Sequence, residues 1–315
     1  TRLLGVCPEC GKYVKEYGTS KLFMQYVRLL CDLVLDMGKI PVLWADIVLK
    51  HPENVTEVPK EAIFVDWNYG WGLEKFGDPR PLVAQGCRFW GAPSLRSHPD
   101  NFYLTDWQKH LANLADFIPF GRETGYSGMI LTSWSTSGVY DLVFEMGDVV
   151  EMHPKRRVYP LNGFRILLAA FVRALDSEAP LDGAAFVREY GRERFGLSRE
   201  EADAFERSFH VRPEFMRVGA GNKGSSVDTL EKDAEEVSGE LAGIAPRQNR
   251  GEFEHFVLQL DMRRFYISVQ KLLGQYNSPD FSDKKIPELR KRVSALFRIA
   301  DELDRRFEAS QTGYL

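Results

Sequence analysis

Four tryptophans close short apolar runs, and each is followed by small or polar residues: Trp44 by Ala45-Asp46, Trp67 by Asn68-Tyr69, Trp90 by Gly91-Ala92 and Trp134 by Ser135-Thr136. Indoles gathered at one rim suit a sugar, because a pyranose offers apolar C–H faces to aromatic rings while its hydroxyls seek carboxylates and amides. Any one such tryptophan is explained equally well by packing against a helix; four in the same position point to a pocket. Asp46 lies two residues beyond Trp44. In an extended segment its carboxylate projects to the same side and can accept hydrogen bonds from hydroxyls. Tyr69 stands in the same relation to Trp67, and its phenol can donate to a substrate carbonyl. Tyr140 and Glu145 follow the last run and can rim the same pocket. Arg96, His98 and Asp100 follow the third run, where a loop salt bridge is the better reading.

The apolar runs at 40–44, 62–67, 87–90 and 128–134 have the length and composition of strands, and the first is apolar on both parities, as a strand buried on both faces would be. Helical spacing appears between them. Leu22, Phe23, Tyr26, Leu30, Leu33, Val34 and Met37 recur every three or four residues after a cap at Thr19 or Ser20, Gly38 stops that helix, and 105–122 forms a second. Strands alternating with helices, with polar residues at the carboxyl ends of the strands, predict an α/β fold of the TIM (β/α)8 type. A closed barrel of this type has eight strands and four are visible, so the expectation is a half barrel. After Trp134 the pattern is entirely helical, at 160–175, 181–195, 198–215, 227–241, 252–276 and 287–307, with a glycine- and serine-rich connection at 219–226. The predicted division is a barrel half over 1–158 and an all-helical C-terminal region over 159–315.

Composition narrows the function classes. The 315 residues are 44% hydrophobic, enough for a sizeable core, and carry a net charge of −4 with basic and acidic residues interleaved. That pattern gives no footprint for nucleic acid. The longest apolar stretch, 166–172, is far too short to cross a bilayer. Four cysteines at uneven spacing suggest no disulfide framework, and reduced thiols mildly favour a cytoplasmic setting. Thr1 belongs to no leader sequence, and processing or truncation before it is expected. The Cys7-Pro-Glu-Cys10-Gly knuckle is half of a zinc ribbon without a second half, while Cys31 and Cys87 read as core residues. No metal and no cofactor are expected.

The segments GVCPECG, GKIPVLWADI, AIFVDWNYGW and GMILTSWSTSGVYD together resemble the second barrel half of family 20 glycoside hydrolases, the β-N-acetylhexosaminidases, and in particular their hexosaminidase D-like branch, over about residues 1–175. The resemblance implies barrel strands five to eight and a terminal N-acetylhexosamine on a glycan as substrate. It implies substrate-assisted retaining hydrolysis, in which the substrate's own acetamido oxygen attacks the anomeric carbon. In the family a glutamate protonates the leaving oxygen and a neighbouring aspartate steadies the acetamido group. That Asp-Glu pair precedes a leucine-glycine-cysteine stretch like Leu4-Gly5-Val6-Cys7, which places it immediately upstream of Thr1. Trp44, Trp67 and Trp134 match tryptophans that enclose the terminal sugar, Tyr69 matches the tyrosine that bonds the acetamido group, and Asp46 matches the acid after the fifth-strand tryptophan. The last strand departs from the family's Trp-x-Glu pattern, reading Trp134-Ser135-Thr136. Two rival readings stand beside this one: a glycosidase of another family that uses Asp46 with Asp66 or Glu145, and a carbohydrate-binding protein without catalysis.

Overall fold

The computed structural model describes residues 5–97, 105–134, 161–212, 216–217, 220–221 and 224–311. It is an α/β fold, mostly helical, with a small parallel sheet. The chain divides into two compact units and crosses between them more than once. The first comprises Thr1–Ser94, Ala112–Thr132 and Ala174–Pro180; the second comprises Leu95–Leu111, Ser133–Arg173 and Leu181–Leu315.

In the first unit α1 (Pro8–Tyr17) and α2 (Thr19–Asp36) lead into β1 (Val42–Trp44), the short helix α3 (Asp46–Lys50), β2 (Ile63–Trp67), the short helix α4 (Arg80–Ala84) and β3 (Arg88–Ala92). The sheet has the order β1, β2, β3, β5, all parallel, with β5 at Gly128–Met129. The burial on both faces expected of the first strand is found instead in β2, where Ile63 to Asp66 are all buried. β1 lacks it, because among the described residues it pairs with β2 alone; Val42 is 48% exposed and Trp44 47%.

α2 likewise buries a different stripe from the one its periodicity suggests. Met24, Val27 and Cys31 enter the core with Val48, Leu49, Val55, Phe64, Leu82 and Phe89, while Tyr26, Leu29, Leu30, Leu33 and Met37 are exposed. The helix is apolar on two sides, and pattern alone does not say which side the sheet takes. Neither expected cap serves it: Thr19 is its first helical residue, and the Ser20 hydroxyl donates to the His51 carbonyl at 3.1 Å. Gly38 does end the helix, at φ +69°.

The fourth predicted strand is split. After Met129 the chain leaves the main sheet, and β6 (Thr132–Ser133) joins β4 (Ser94–Arg96) in a separate ladder. Pro93, between β3 and β4, has no N–H to carry a continuous ladder past it. Its carbonyl still accepts from the Thr132 N–H and hydroxyl, both at 3.0 Å.

The connecting helix α5 (Trp107–Thr124) spans the unit boundary in sequence. The second unit is built from α6 (Arg165–Asp176), α7 (Gly183–Phe195), α8 (Arg199–Ser208), α9 (Val227–Ala242), α10 (Arg250–Tyr276) and α11 (Ile286–Gln311). Their starts are chemically explicit: Asp182 accepts from the Ala185 N–H, Ser198 and Glu201 form a reciprocal capping box, and Ser226 accepts from the Thr229 N–H. Aromatic rings fill the core, with Phe205 at 5.0 Å from both Phe209 and Phe256 and Trp107 at 4.9 Å from Phe209. One departure from the all-helical expectation is a two-rung antiparallel ladder, β7 (Met216–Arg217) with β8 (Ala220–Gly221). No described helix is long and apolar enough to cross a membrane.

Candidate functional site

Sheet register decides which side chains share a face. Trp44 pairs with Val65, Val65 with Trp90, and Trp90 with Gly128. Paired residues of parallel strands project to the same side, and so does a residue two further along. Trp44, Trp90 and Trp67 therefore lie on one face of the sheet; Trp44 and Trp67 close β1 and β2, whereas Trp90 is the middle residue of β3, which runs on to Ala92 and not, as the sequence suggests, to Trp90. The Trp90 indole depends on a glycine beside it: a Cβ at Gly128 would stand 2.9 Å from its Nε1 atom.

Beyond Trp67 the chain folds into an aromatic cluster. Ring centroids lie 5.0 Å apart for Trp67 and Tyr69, 5.2 Å for Tyr69 and Trp71, 5.1 Å for Trp67 and Trp71, and 4.6 Å for Trp67 and Phe76. Tyr69 is buried, and its ring forms a triangle with the two indoles. Lys75 lies over the Trp71 ring at 4.0 Å and Lys50 over Phe76 at 4.8 Å, so ammonium groups face the cluster.

One buried amide shapes this turn. The Asn68 Oδ1 accepts from the Gly70 N–H at 2.9 Å, from the Trp71 N–H at 3.3 Å and from Asn113 Nδ2 at 3.1 Å. Its Nδ2 donates to the Trp71 and Gly72 carbonyls at 3.1 and 3.3 Å. Asn113, on α5, also accepts from the Ser94 N–H at 3.4 Å. Gly70 takes φ +99°, which favours glycine. Asn68, Asn113, Trp71 and Phe76 escaped the sequence reading. The Asn68-x-Gly70 spacing was the available signal, since asparagine folds its side chain back onto backbone N–H groups of tight turns.

Other predicted residues fall differently. The backbone turns helical at Ala45 (φ −86°, ψ −13°), so Asp46 starts α3 and is not in the extended segment that would align it with Trp44; its carboxylate pairs with Lys50 at 4.0 Å. Trp134 belongs to the second unit, is 49% exposed, and donates its backbone N–H to the Arg96 carbonyl at 3.0 Å. Arg96 is buried in that unit with its guanidinium 5.1 Å from the Phe164 ring centroid. Tyr140, Glu145, His98 and Asp100 lie outside the described residues. No group of three or more histidine, cysteine or acidic side chains able to hold a metal occurs among the described residues.

Asp66 has the parity of Phe64, which packs at 5.6 Å from Phe89 in the core, and so lies on the face opposite Trp67. Its Oδ2 accepts from the Tyr126 hydroxyl at 2.7 Å. Burial pushes this carboxyl up to about 6, and the bonds from Tyr126 and the Trp67 N–H only partly oppose that. This placement argues against Asp66 as one of two acids flanking a sugar on the tryptophan face.

It also sets a pH dependence. The folded-state value exceeds the unfolded one, so the extra stability is fully present below about pH 4 and is lost as pH rises through 6, amounting to roughly 3 kcal/mol. Asp66→Asn should flatten the stability profile between pH 4 and 6.5, which urea unfolding at stepped pH measures. An unchanged slope in the variant refutes the assignment to Asp66.

No protein-family model matches the chain, and no curated protein matches it. The functional reading therefore rests on the residues and the resemblance they carry.

Proposed function

We propose that the chain is the second half of a (β/α)8 barrel, strands five to eight with a helical C-terminal region, from an exo-acting β-N-acetylhexosaminidase. The observation that carries this reading is the placement of Trp44, Trp67 and Trp90 on one face of a parallel sheet, with Trp44 and Trp67 at the carboxyl ends of their strands, where barrel enzymes gather their chemistry. The aromatic face packs the terminal N-acetylhexosamine of a glycan. Tyr69, packed beside Trp67 and Trp71, meets the acetamido group. The substrate's acetamido oxygen attacks the anomeric carbon, while the protonating glutamate and its partner aspartate belong to the segment that the resemblance places before Thr1.

Two measurements test this. Hydrolysis of a chromogenic N-acetylglucosaminide is expected from a longer protein that includes that segment. Turnover by residues 1–315 alone would overturn the placement of the acids. N-acetylglucosamine should quench the tryptophan fluorescence of the chain saturably. Trp44→Ala should weaken that binding about 10-fold, the loss of one ring contact of roughly 1.4 kcal/mol. Its half-exposed position makes a large stability loss unexpected. Equal affinity in the variant would remove Trp44 from the pocket.

A further inference from the structure

We propose that Cys7 and Cys10 form a reversible dithiol–disulfide site that exchanges with low-molecular-weight disulfides, Cys7 attacking and Cys10 resolving. The inference is independent of the sugar reading.

The geometry comes first. Cys7 is the N-cap of α1, with φ −69° and ψ 154°, and its Sγ accepts the Cys10 N–H at 3.2 Å. Pro8 occupies the first helical turn, where it has no N–H to lose and its ring presets the helical φ. Residues three apart on a helix hold their Cβ atoms roughly 5–6 Å apart. A disulfide needs Cβ atoms about 3.5–4.5 Å apart, so closure draws the two together by roughly 1–2 Å, which the N-cap residue Cys7, outside the helical hydrogen bonds, supplies by moving against the first turn. Cys7 is exposed and Cys10 half-buried, the order required of an attacking and a resolving sulfur, and both are free thiols.

Electrostatics agrees with the geometry. The Cys10 thiol donating to Cys7, and then the Cys10 backbone N–H, hold the Cys7 thiol below its ordinary value; the same contact raises Cys10. A thiolate is the nucleophile in exchange, so these directions agree with the roles that exposure assigns. Cys31, fully buried, and Cys87, half-buried, are both raised by burial and serve as internal controls. A metal knuckle is the other chemistry open to two cysteines at this spacing, but no third or fourth ligand joins them among the described residues.

The reaction balances with an oxidised disulfide such as glutathione disulfide as co-reactant. The Cys7 thiolate attacks one glutathione sulfur, the S–S bond breaks, and one glutathione thiolate leaves. Cys10, giving up its proton to solvent, then attacks the Cys7 sulfur of the mixed disulfide and expels the second glutathione. Two protein thiols are oxidised and one disulfide is reduced to two thiols.

The test is equilibration of the chain in glutathione buffers of graded oxidation, with mass spectrometry of peptides after rapid acid quench. The expected product is a Cys7–Cys10 link whose fraction follows the glutathione ratio reversibly. Cys10→Ser should trap one glutathione on Cys7, and Cys7→Ser should abolish the link and leave at most a single glutathione on the half-buried Cys10. On the unmodified chain, iodoacetamide should alkylate Cys7 first, with a midpoint below that of an ordinary thiol. Both cysteines remaining thiols in fully oxidised buffer, or Cys7 reacting no faster than Cys87, overturns the proposal. So does a thiolate–cobalt absorption band from the reduced chain with no link formed on oxidation.

Discussion

Asn68→Ala lowers the stability of the first unit by about 3 kcal/mol and loosens the Trp67–Tyr69–Trp71 cluster, the largest effect expected of a single substitution there. The reason is the number of groups one side chain satisfies. Removing it strips a buried acceptor from two backbone N–H groups and the Asn113 amide, and a donor from two carbonyls. Each group left buried without a partner costs roughly 1–3 kcal/mol, and those that reach water by local opening cost less. The variant should therefore lose sugar-induced fluorescence change in greater proportion than it loses fold. Denaturant unfolding and the fluorescence titration measure the two losses separately. Asn68→Asp is the informative companion, because it keeps the acceptor and loses the donors. Full stability in Asn68→Ala would mean that the turn is held by its rings alone.

In the second unit the corresponding substitution is Glu252→Ala. Glu252 sits in the first turn of α10 with its side chain 3% exposed. It accepts from the Tyr190 hydroxyl at 2.6 Å and from Arg194 at 2.8 and 3.0 Å, and pairs with Arg165 at 3.3 Å. Removing one partner of a buried pair typically costs 3–5 kcal/mol, because the other charges stay behind. Arg194 and Arg165 are 34% and 49% exposed on their side chains, so water recovers part of that, and about 3 kcal/mol is expected. The melting transition of this unit should fall by roughly 6–12 °C. Restoring most of it with Glu252→Gln would show that the hydrogen bonds matter more than the charge. A cycle with Arg194→Ala would give their coupling.

These two residues also mark where sequence reasoning stops. Strand runs ending at Trp44 and Trp67 were legible because apolar composition, length and a polar stop coincide; the third was placed, but it runs two residues past Trp90, through Gly91 to Ala92. The helices after 160 were legible from their period, and their starts from Ser198, Ser226 and Asp182. What failed was everything decided by a neighbour. α2 is apolar on two sides, and only the sheet settles that Met24, Val27 and Cys31 go inward. Asp46 follows a strand in sequence, yet the backbone at Ala45 turns helical and rotates it away from the strand's alternation. Pro93 divides a ladder through a hydrogen bond it cannot make, which a pattern of apolar residues does not record. Asn68 and Asn113 stand 45 positions apart, and their amides meet only once β2 and α5 are placed. Of the proposed sugar wall, the tryptophans were readable singly, and their common face needed the register.

β1 carries a further consequence. Among the described residues β1 pairs with β2 alone, and Ile40, Val42 and Trp44 are exposed along it, as are Tyr26, Leu30 and Leu33 on the outward stripe of α2. A strand edge is a template for another chain. Trp44 stands both on the proposed sugar wall and on this edge, so a glycan and a neighbouring molecule compete for the same ring. If the proposed wall binds sugar, bound ligand should reduce any self-association through Trp44, which light scattering with and without N-acetylglucosamine measures.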